Sequence, residues 1–376
     1  MKLFVLPGII LVVVLSLLLA PVSGCSEFML NTSGDDHGVS GRTIDFLYST
    51  LMDTSFSVQL RGENHTSLSS ITPNTPGMSW NNRYGFVGVT SMVQIMKEYN
   101  QGHLYYLDVL NEEGLSASYL WLNEAKYPRN ISDNNKALMY LDVPAWIAGN
   151  FRSVEEVKEG LLHVEIWTPK ELDGTYPLHL CVHDADKKTM IVEWVRNAEN
   201  ATVMNIYDGE EVDANHGVMT NSPQYPSHLA DLKKYENSTP QSHFSGLPGG
   251  VSATDRFIRL SRLNQFSKPI TYESGDITQA FHLLNSVDVA IGDEPSFFEI
   301  AGGKIIPGED YTFLTLVRDH SSPAYYFRSW RNQSIRKIDL TSIDFTSGSY
   351  NVIAVDPDPS SGEYPLYTDV TSKLLA

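Results

Sequence analysis

Near the start of the chain, two short apolar runs, Phe28-Met29-Leu30 and Val39 to Phe46, flank a polar cluster from Asn31 to Gly38. Gly, Asp and Asn between apolar runs predict a β-hairpin with a long turn. From 50 to 105, Ser and Thr alternate with aromatics, and turn signals at Pro73–Gly77 and Trp80–Tyr84 predict strands joined by loops. Tyr105 to Leu122 reads as strands about the turn Asn111–Gly114, and Leu178–Val182 with Met190–Trp194 reads as a second hairpin about Asp184–Lys188. Helical spacing begins at Val154: Ser153 and Glu156 form a capping box, and Val157, Leu161 and Leu162 recur on one face. Gly217 to Pro223 predicts a strand running into a turn, followed by a helix near Ser227 to Tyr235. After the loop Gly246–Gly250, Ser252 as N-cap with Asp255 at N3 opens a helix through Arg256, Phe257, Leu260 and Leu263; Asp276 to Leu284 predicts another. Strand-like runs return at 313–317, 324–327, 335–340 and 351–355. Strands, then helices, then strands, with no repeat and no linker, predict one α+β domain with a large antiparallel component.

The first residues follow a different pattern. Met1-Lys2 precedes an almost wholly apolar run, Leu3 to Leu19, and Val22 and Gly24 supply small residues before Cys25. This predicts a signal peptide over 1–24, removed to leave a domain over 25–376, and hence an exported protein, secreted or periplasmic. Pro7, Gly8 and Pro21 argue against a spanning helix. Val22-Ser-Gly-Cys25 also fits a bacterial lipobox, in which the cysteine is lipidated and the protein is an anchored surface or binding module. Six N-x-S/T sequons, at Asn31, Asn64, Asn130, Asn200, Asn237 and Asn332, suit an exported chain.

A net charge of −18 argues against nucleic acid as a partner and requires local arginines for any anionic substrate. Two cysteines, Cys25 and Cys181, are too few for a disulfide framework; they form one bridge or stay free. No nucleophile elbow, P-loop or dinucleotide fingerprint is present. Cys181 and His183 share a strand face, but a buried thiol beside an edge histidine is commoner than a dyad. His183, Asp184 and Asp186 straddle a polar turn, which reads better as solvated than as a metal site. No cofactor and no metal are expected.

Cleavage after Gly24 gives Cys25 both a thiol and a free amine. An α-amine titrates near 7.7–8.0 and a cysteine near 8.5, so the amine can serve as the base for its own thiol, as an N-terminal threonine does. The hairpin would return Arg42 and Asp45 beside Cys25. Arg42 would favour the thiolate and Asp45 would hold the amine or thiol, although, taken alone, the two residues fit better as a pair on an exposed edge. An amide such as Asn221 at a strand end can stabilise an oxyanion.

Cys25-Ser-x-Phe and Gly41-Arg-Thr-Ile-Asp-Phe46 resemble the opening of the choloylglycine hydrolase and penicillin V acylase family of N-terminal nucleophile hydrolases. So, in order, do Asn111–Leu115, Asn150–Lys158, Val218–Pro223 and the run Gly246-Leu-Pro-Gly with Asp255–Arg259. The resemblance implies a four-layer αββα fold with two stacked antiparallel sheets, and hydrolysis of a linear amide through a thioester. It implies Cys25 as nucleophile, Arg42 and Asp45 beside it, Asn221 in the oxyanion hole, and Arg256 completing the charged network, with Arg259 as a rival. Trp121 stands where the family often has Asn or Tyr, which leaves the second oxyanion donor open and suggests an aromatic wall for the acyl group. The variants around Trp121 and Arg256 look closer to the exported penicillin acylases. The implied substrates are small amides (aryl- or fatty-acyl amides, conjugated bile acids or acyl-homoserine lactones), and the implied assembly is a homotetramer. A catalytically inactive relative is the further alternative.

Overall fold

A computed structural model of the chain describes residues 24–31, 37–47, 54–68, 76–91, 104–174, 176–268, 270, 274–300 and 304–356. All of the expected signal peptide over 1–24 except Gly24, the centre of the first hairpin's turn and the start of the Pro73 turn lie outside the described residues. No helix among those described is long and apolar enough to cross a membrane.

Two antiparallel sheets carry the fold. The first runs β1 (Ser26–Met29), β2 (Val39–Leu47), β15 (Lys304–Asp319), β16 (Ala324–Ser329), β17 (Arg336–Asp339), with β14 (Glu294–Ile300) also on β15. The second runs β13 (Thr202–Asp208), β12 (Thr189–Arg196), β11 (Leu178–His183), β8 (Ser116–Trp121), β7 (Tyr106–Asn111), β6 (Phe86–Ser91), β3 (Thr54–Gln59), β18 (Ile353–Ala354). Two small ribbons, β4 (Asn64–Leu68) with β5 (Pro76–Asn81) and β9 (Ala137–Met139) with β10 (Glu165–Trp167), complete the strands described. The predicted hairpins form at β1–β2 and β11–β12.

Strand side chains alternate between faces, so parity divides the second sheet into two surfaces. Leu110, Leu120, Cys181 and Ile191 face inward and join Phe28, Ile44 and Leu316 of the first sheet in one core. Val109, Tyr119, Leu180, Val192 and Trp194 face outward into a second core. That outer core is closed by α1 (Val143–Asn150) and α2 (Val154–Leu161), through Trp146, Ile147, Val157 and Leu161. Three helices follow β13, the short α3 (Glu210–Asp213), α4 (Tyr225–Leu232) and α5 (Ala253–Gln265), and then α6 (Gly275–Asn285). Phe257 and Leu260 of α5 and Ile277, Phe281 and Leu284 of α6 bury against the first sheet. The result is helix, sheet, sheet, helix. Each fully buried Leu or Phe contributes about 1.5–3 kcal/mol, and both cores hold several such side chains.

The helix starts are dictated locally. The Ser153 hydroxyl accepts from the Glu156 N–H at 3.2 Å, and Ser252 accepts from the Asp255 N–H at 3.2 Å, as the caps predicted. At Ser153 the box is only half closed, because the Glu156 carboxylate turns to the Arg152 N–H instead. The predicted run at 351–355 shortens to Ile353–Ala354. Helix α1 was not predicted. Its side chains from Val143 to Gly149 are all buried, so no polar face gives it a helical period.

Candidate active site

The register of β1 on β2, with Ser26 beside Thr43, carries one step further to place Cys25 beside Ile44 and Gly24 beside Asp45. The other edge of β1 is taken by the 217–221 segment. The Glu27 N–H donates to the Met219 carbonyl at 2.8 Å, and Met219 returns the bond at 2.9 Å. Continuing this antiparallel pairing by two residues sets Asn221 across from Cys25. Two residues 196 positions apart are thereby brought together by backbone ladders.

Arg256, fully buried in the first turn of α5, ties this junction together. Its Nη1 donates to the Cys25 carbonyl and to Ser26 Oγ, both at 2.7 Å, and its Nη2 donates to Asn221 Oδ1 at 2.9 Å. Asn221 Nδ2 in turn donates to the Trp121 carbonyl at 3.0 Å. One N–H of that amide is thus committed and the other is left for a ligand. Arg259 takes no part. It is spent on the carbonyls of Ser286, Pro248 and Gly250, bracing the loop before α5.

Arg42 and Asp45 both reach the Cys25 end of β2, but three positions apart on a strand they face opposite ways. They do not pair on an exposed edge; both are buried. Arg42 points between the sheets and donates to the Leu107 carbonyl at 2.8 Å, the Asp108 carboxylate at 2.9 Å and the Tyr119 carbonyl. Asp45 points toward α5, with Arg256 and Thr312 near and no well-formed hydrogen bond on either oxygen. Burial pushes its carboxyl up to about 8, against the pull of Arg256. A Cβ at Gly24 would stand 3.0 Å from Asp45 Oδ2 and 3.2 Å from Arg256 Nη2. The residue before Cys25 therefore fills the space beside that carboxyl. Burial raises the Cys25 thiol too; Arg42 opposes this, Asp45 adds to it, and Arg256 also opposes it. The thiol donates to the Asp45 carbonyl at 3.8 Å.

Behind the thiol lies a buried charge network that the sequence does not reveal. Glu27, two residues from Cys25 and so on the same strand face, accepts from Arg318 at 2.8 Å and from Ser118. Asp108 accepts from Arg42, Arg318 and Tyr325. Desolvation would raise the Glu27 carboxyl, but Arg318, His183 and Arg42 hold it well below its usual range. His183 Nε2 is 3.2 Å from Glu27 and 3.5 Å from Cys181 Sγ. His183 is not an edge histidine, since β11 lies inside the sheet and the ring is fully buried. Asp184 is buried as well and caps α2 through the Val154 N–H at 2.9 Å, whereas Asp186 and Lys188 of the same turn are exposed, as a solvated turn requires. Glu27, Cys181 and His183 cluster closely enough to suggest a cation site. Arg318 and Arg42 already occupy the carboxylate and would repel a cation placed there. Cys25 and Cys181 are both free thiols.

Trp121 reaches the site through its carbonyl. The indole is directed toward Phe46 and Tyr176, with ring centroids at 6.3 and 6.5 Å, and its Nε1 donates to Asn123 at 2.7 Å.

Residues 25–353 match the family model for linear amide C–N hydrolases, choloylglycine hydrolase family. A bile salt hydrolase/transferase of Lactiplantibacillus plantarum is 29% identical over 68% of this chain and 78% of its own length. A penicillin V acylase of Pectobacterium atrosepticum is 27% identical over 75% of this chain and 73% of its own. Among solved structures, penicillin V acylase from Agrobacterium tumefaciens superposes with a TM-score of 0.67 at 25% identity, over 87% of this chain and 90% of that one. A variant of conjugated bile acid hydrolase from Clostridium perfringens gives 0.68 at 21% identity, over 88% and 97%, a likeness of fold.

Proposed function

Since the chain belongs to the choloylglycine hydrolase family of linear amide C–N hydrolases, we propose that it is exported, loses residues 1–24, and works through Cys25 as an N-terminal nucleophile. The observation that carries this reading is the position of Arg256, which holds the Cys25 carbonyl and the Asn221 side chain at once.

In the uncut chain the Cys25 nitrogen is an amide. Cleavage converts it to an amine and empties the place of Gly24 next to Asp45. The amine takes the thiol proton, and Asp45 holds the resulting ammonium. The thiolate, favoured by Arg42 and Arg256, adds to the substrate's amide carbon. The free N–H of Asn221 meets the oxyanion as it forms. Collapse breaks the C–N bond, the ammonium returns its proton to the leaving amine, and the acyl group stays on sulfur as a thioester. Water then attacks the thioester, delivers its proton to the amine and releases the acid.

The substrates proposed are aryl- or fatty-acyl amides, conjugated bile acids or acyl-homoserine lactones, bound without a cofactor. The Trp121 indole with Phe46 and Tyr176 would form the acyl wall. The test is turnover of penicillin V, glycine- and taurine-conjugated bile acids and acyl-homoserine lactones by the purified mature protein and by Cys25→Ala and Cys181→Ala. Loss of turnover in Cys25→Ala, its retention in Cys181→Ala, and an intact mass starting at a bare Cys25 are expected. Full activity in Cys25→Ala overturns the proposal, and a lipid-sized mass increment would mark an anchored protein instead.

A further inference from the structure

Asn221 is held from behind by a histidine that the mechanism above does not use. His228 lies in α4, is 2% exposed, and stacks on Phe257 with ring centroids 4.6 Å apart and planes 14° apart. Its Nε2 is 2.8 Å from the Asn221 carbonyl and 3.4 Å from Thr220 Oγ1. A carbonyl only accepts, so Nε2 carries the proton. Thr220 Oγ1 donates to the Ala253 carbonyl at 3.0 Å, so a lone pair of that hydroxyl faces the same N–H. The preceding carbonyl, that of Thr220, is met in the same way by His179 Nε2 at 2.8 Å, and the other side of that ring lies 3.3 Å from Glu193.

Two consecutive peptide planes are therefore fixed by two buried imidazoles. Phe257, which supports the His228 ring, is next in sequence to Arg256, which holds the Asn221 side chain. Helix α5 thus grips Asn221 at both ends, through the guanidinium on the amide and through the stacked histidine on the backbone. Burial pushes His228 down to about 4, so the ring is neutral across the physiological range and presents a single N–H. Its Nδ1 is buried and makes no hydrogen bond.

We propose that His228 is a positioning residue that sets the direction of the Asn221 side-chain amide for the oxyanion. The proposal rests on Asn221 serving as an oxyanion donor. Such a donor acts only when its N–H lies about 2.7–3.1 Å from the developing charge, so a small rotation of the Asn221 peptide removes its effect. Because the interaction forms in the transition state, the loss falls on kcat and not on KM.

The test uses mature wild type, Asn221→Ala, His228→Phe, His228→Gln and His228→Asn, with penicillin V or whichever amide of the panel is turned over. Glutamine can place an amide nitrogen where Nε2 stands; asparagine falls short of it. The expected result is a drop of tenfold or more in kcat for His228→Phe and His228→Asn, KM within twofold, and recovery of most of kcat in His228→Gln. A crystal structure of His228→Phe should show the Asn221 amide turned away from the Trp121 carbonyl. If His228→Phe does not fold, the contrast between Gln and Asn decides: equal kcat in the two overturns the proposal. Wild-type kcat in His228→Phe, or an unmoved Asn221 amide, also overturns it. Activity retained in Asn221→Ala would instead overturn the oxyanion reading on which it rests.

Discussion

Arg256 and Asn221 meet side chain to side chain: Nη2 of the arginine donates to Oδ1 of the asparagine at 2.9 Å, which fixes the amide's orientation with its nitrogen toward the Trp121 carbonyl. The same guanidinium reaches the Cys25 carbonyl. On the proposed mechanism, Asn221→Ala lowers kcat by about 10²–10³, the loss typical of one oxyanion donor. Arg256→Lys lowers kcat by about tenfold or more, because a single ammonium cannot serve Cys25, Ser26 and Asn221 together. Steady-state kinetics on the mature protein check both; an Arg256→Lys enzyme with wild-type kcat would show that the junction is set by the backbone alone.

The charge network between the sheets predicts stability more than catalysis. Arg318 is fully buried and serves both Glu27 and Asp108. Arg318→Leu leaves two buried carboxylates short of a partner, a change that costs about 3–5 kcal/mol. Urea unfolding should show that loss. A variant within about 0.5 kcal/mol of wild type, the usual range for changes away from buried charges, would mean that Arg42 alone neutralises both acids.

His320 is fully buried between the Gly114 carbonyl at 2.7 Å and Ser40 Oγ at 2.8 Å. Burial and the nearby His183 push its imidazole down to about 3. The unfolded chain takes up that proton near 6.5 and the fold refuses it until about 3, so this contribution is full above 6.5 and drains as the pH falls. Relative to His320→Gln, the wild type should lose about 2 kcal/mol between pH 7 and pH 5. The comparison of variants is needed because Asp142 acts oppositely. Burial raises its carboxyl to about 7, so its contribution is present below 3.8 and is lost as the pH rises through 7. Parallel stability curves for the two proteins would exclude His320 as an acid-sensitive site.

Much of this fold is legible in the sequence alone. The Ser153 and Ser252 caps depend on side chains three residues from the N–H groups they satisfy, and the two hairpins on turn residues between apolar runs. The ordered blocks around Cys25, Arg42, Asn221 and Arg256 carried the family. What was missed has a common cause. Helix α1 is buried on every side and has no phase to read. His183 and Asp184 looked like turn and edge residues because nothing local says that β8 will cover β11.

The sequence by itself determined the elements, the candidate nucleophile and the set of residues that could serve it, because propensity, capping and period act over a few positions. Only the tertiary structure decided which of them meet. It put Asn221 opposite Cys25 through a backbone ladder to β1, and it chose Arg256 over Arg259 because Arg256 reaches the Cys25 carbonyl and the Asn221 amide while Arg259, one turn further along α5, is held by the carbonyls of Ser286, Pro248 and Gly250. It also sent Arg42 and Asp45 to opposite faces of one strand. Those outcomes depend on register and burial between segments some two hundred residues apart, which no local pattern encodes.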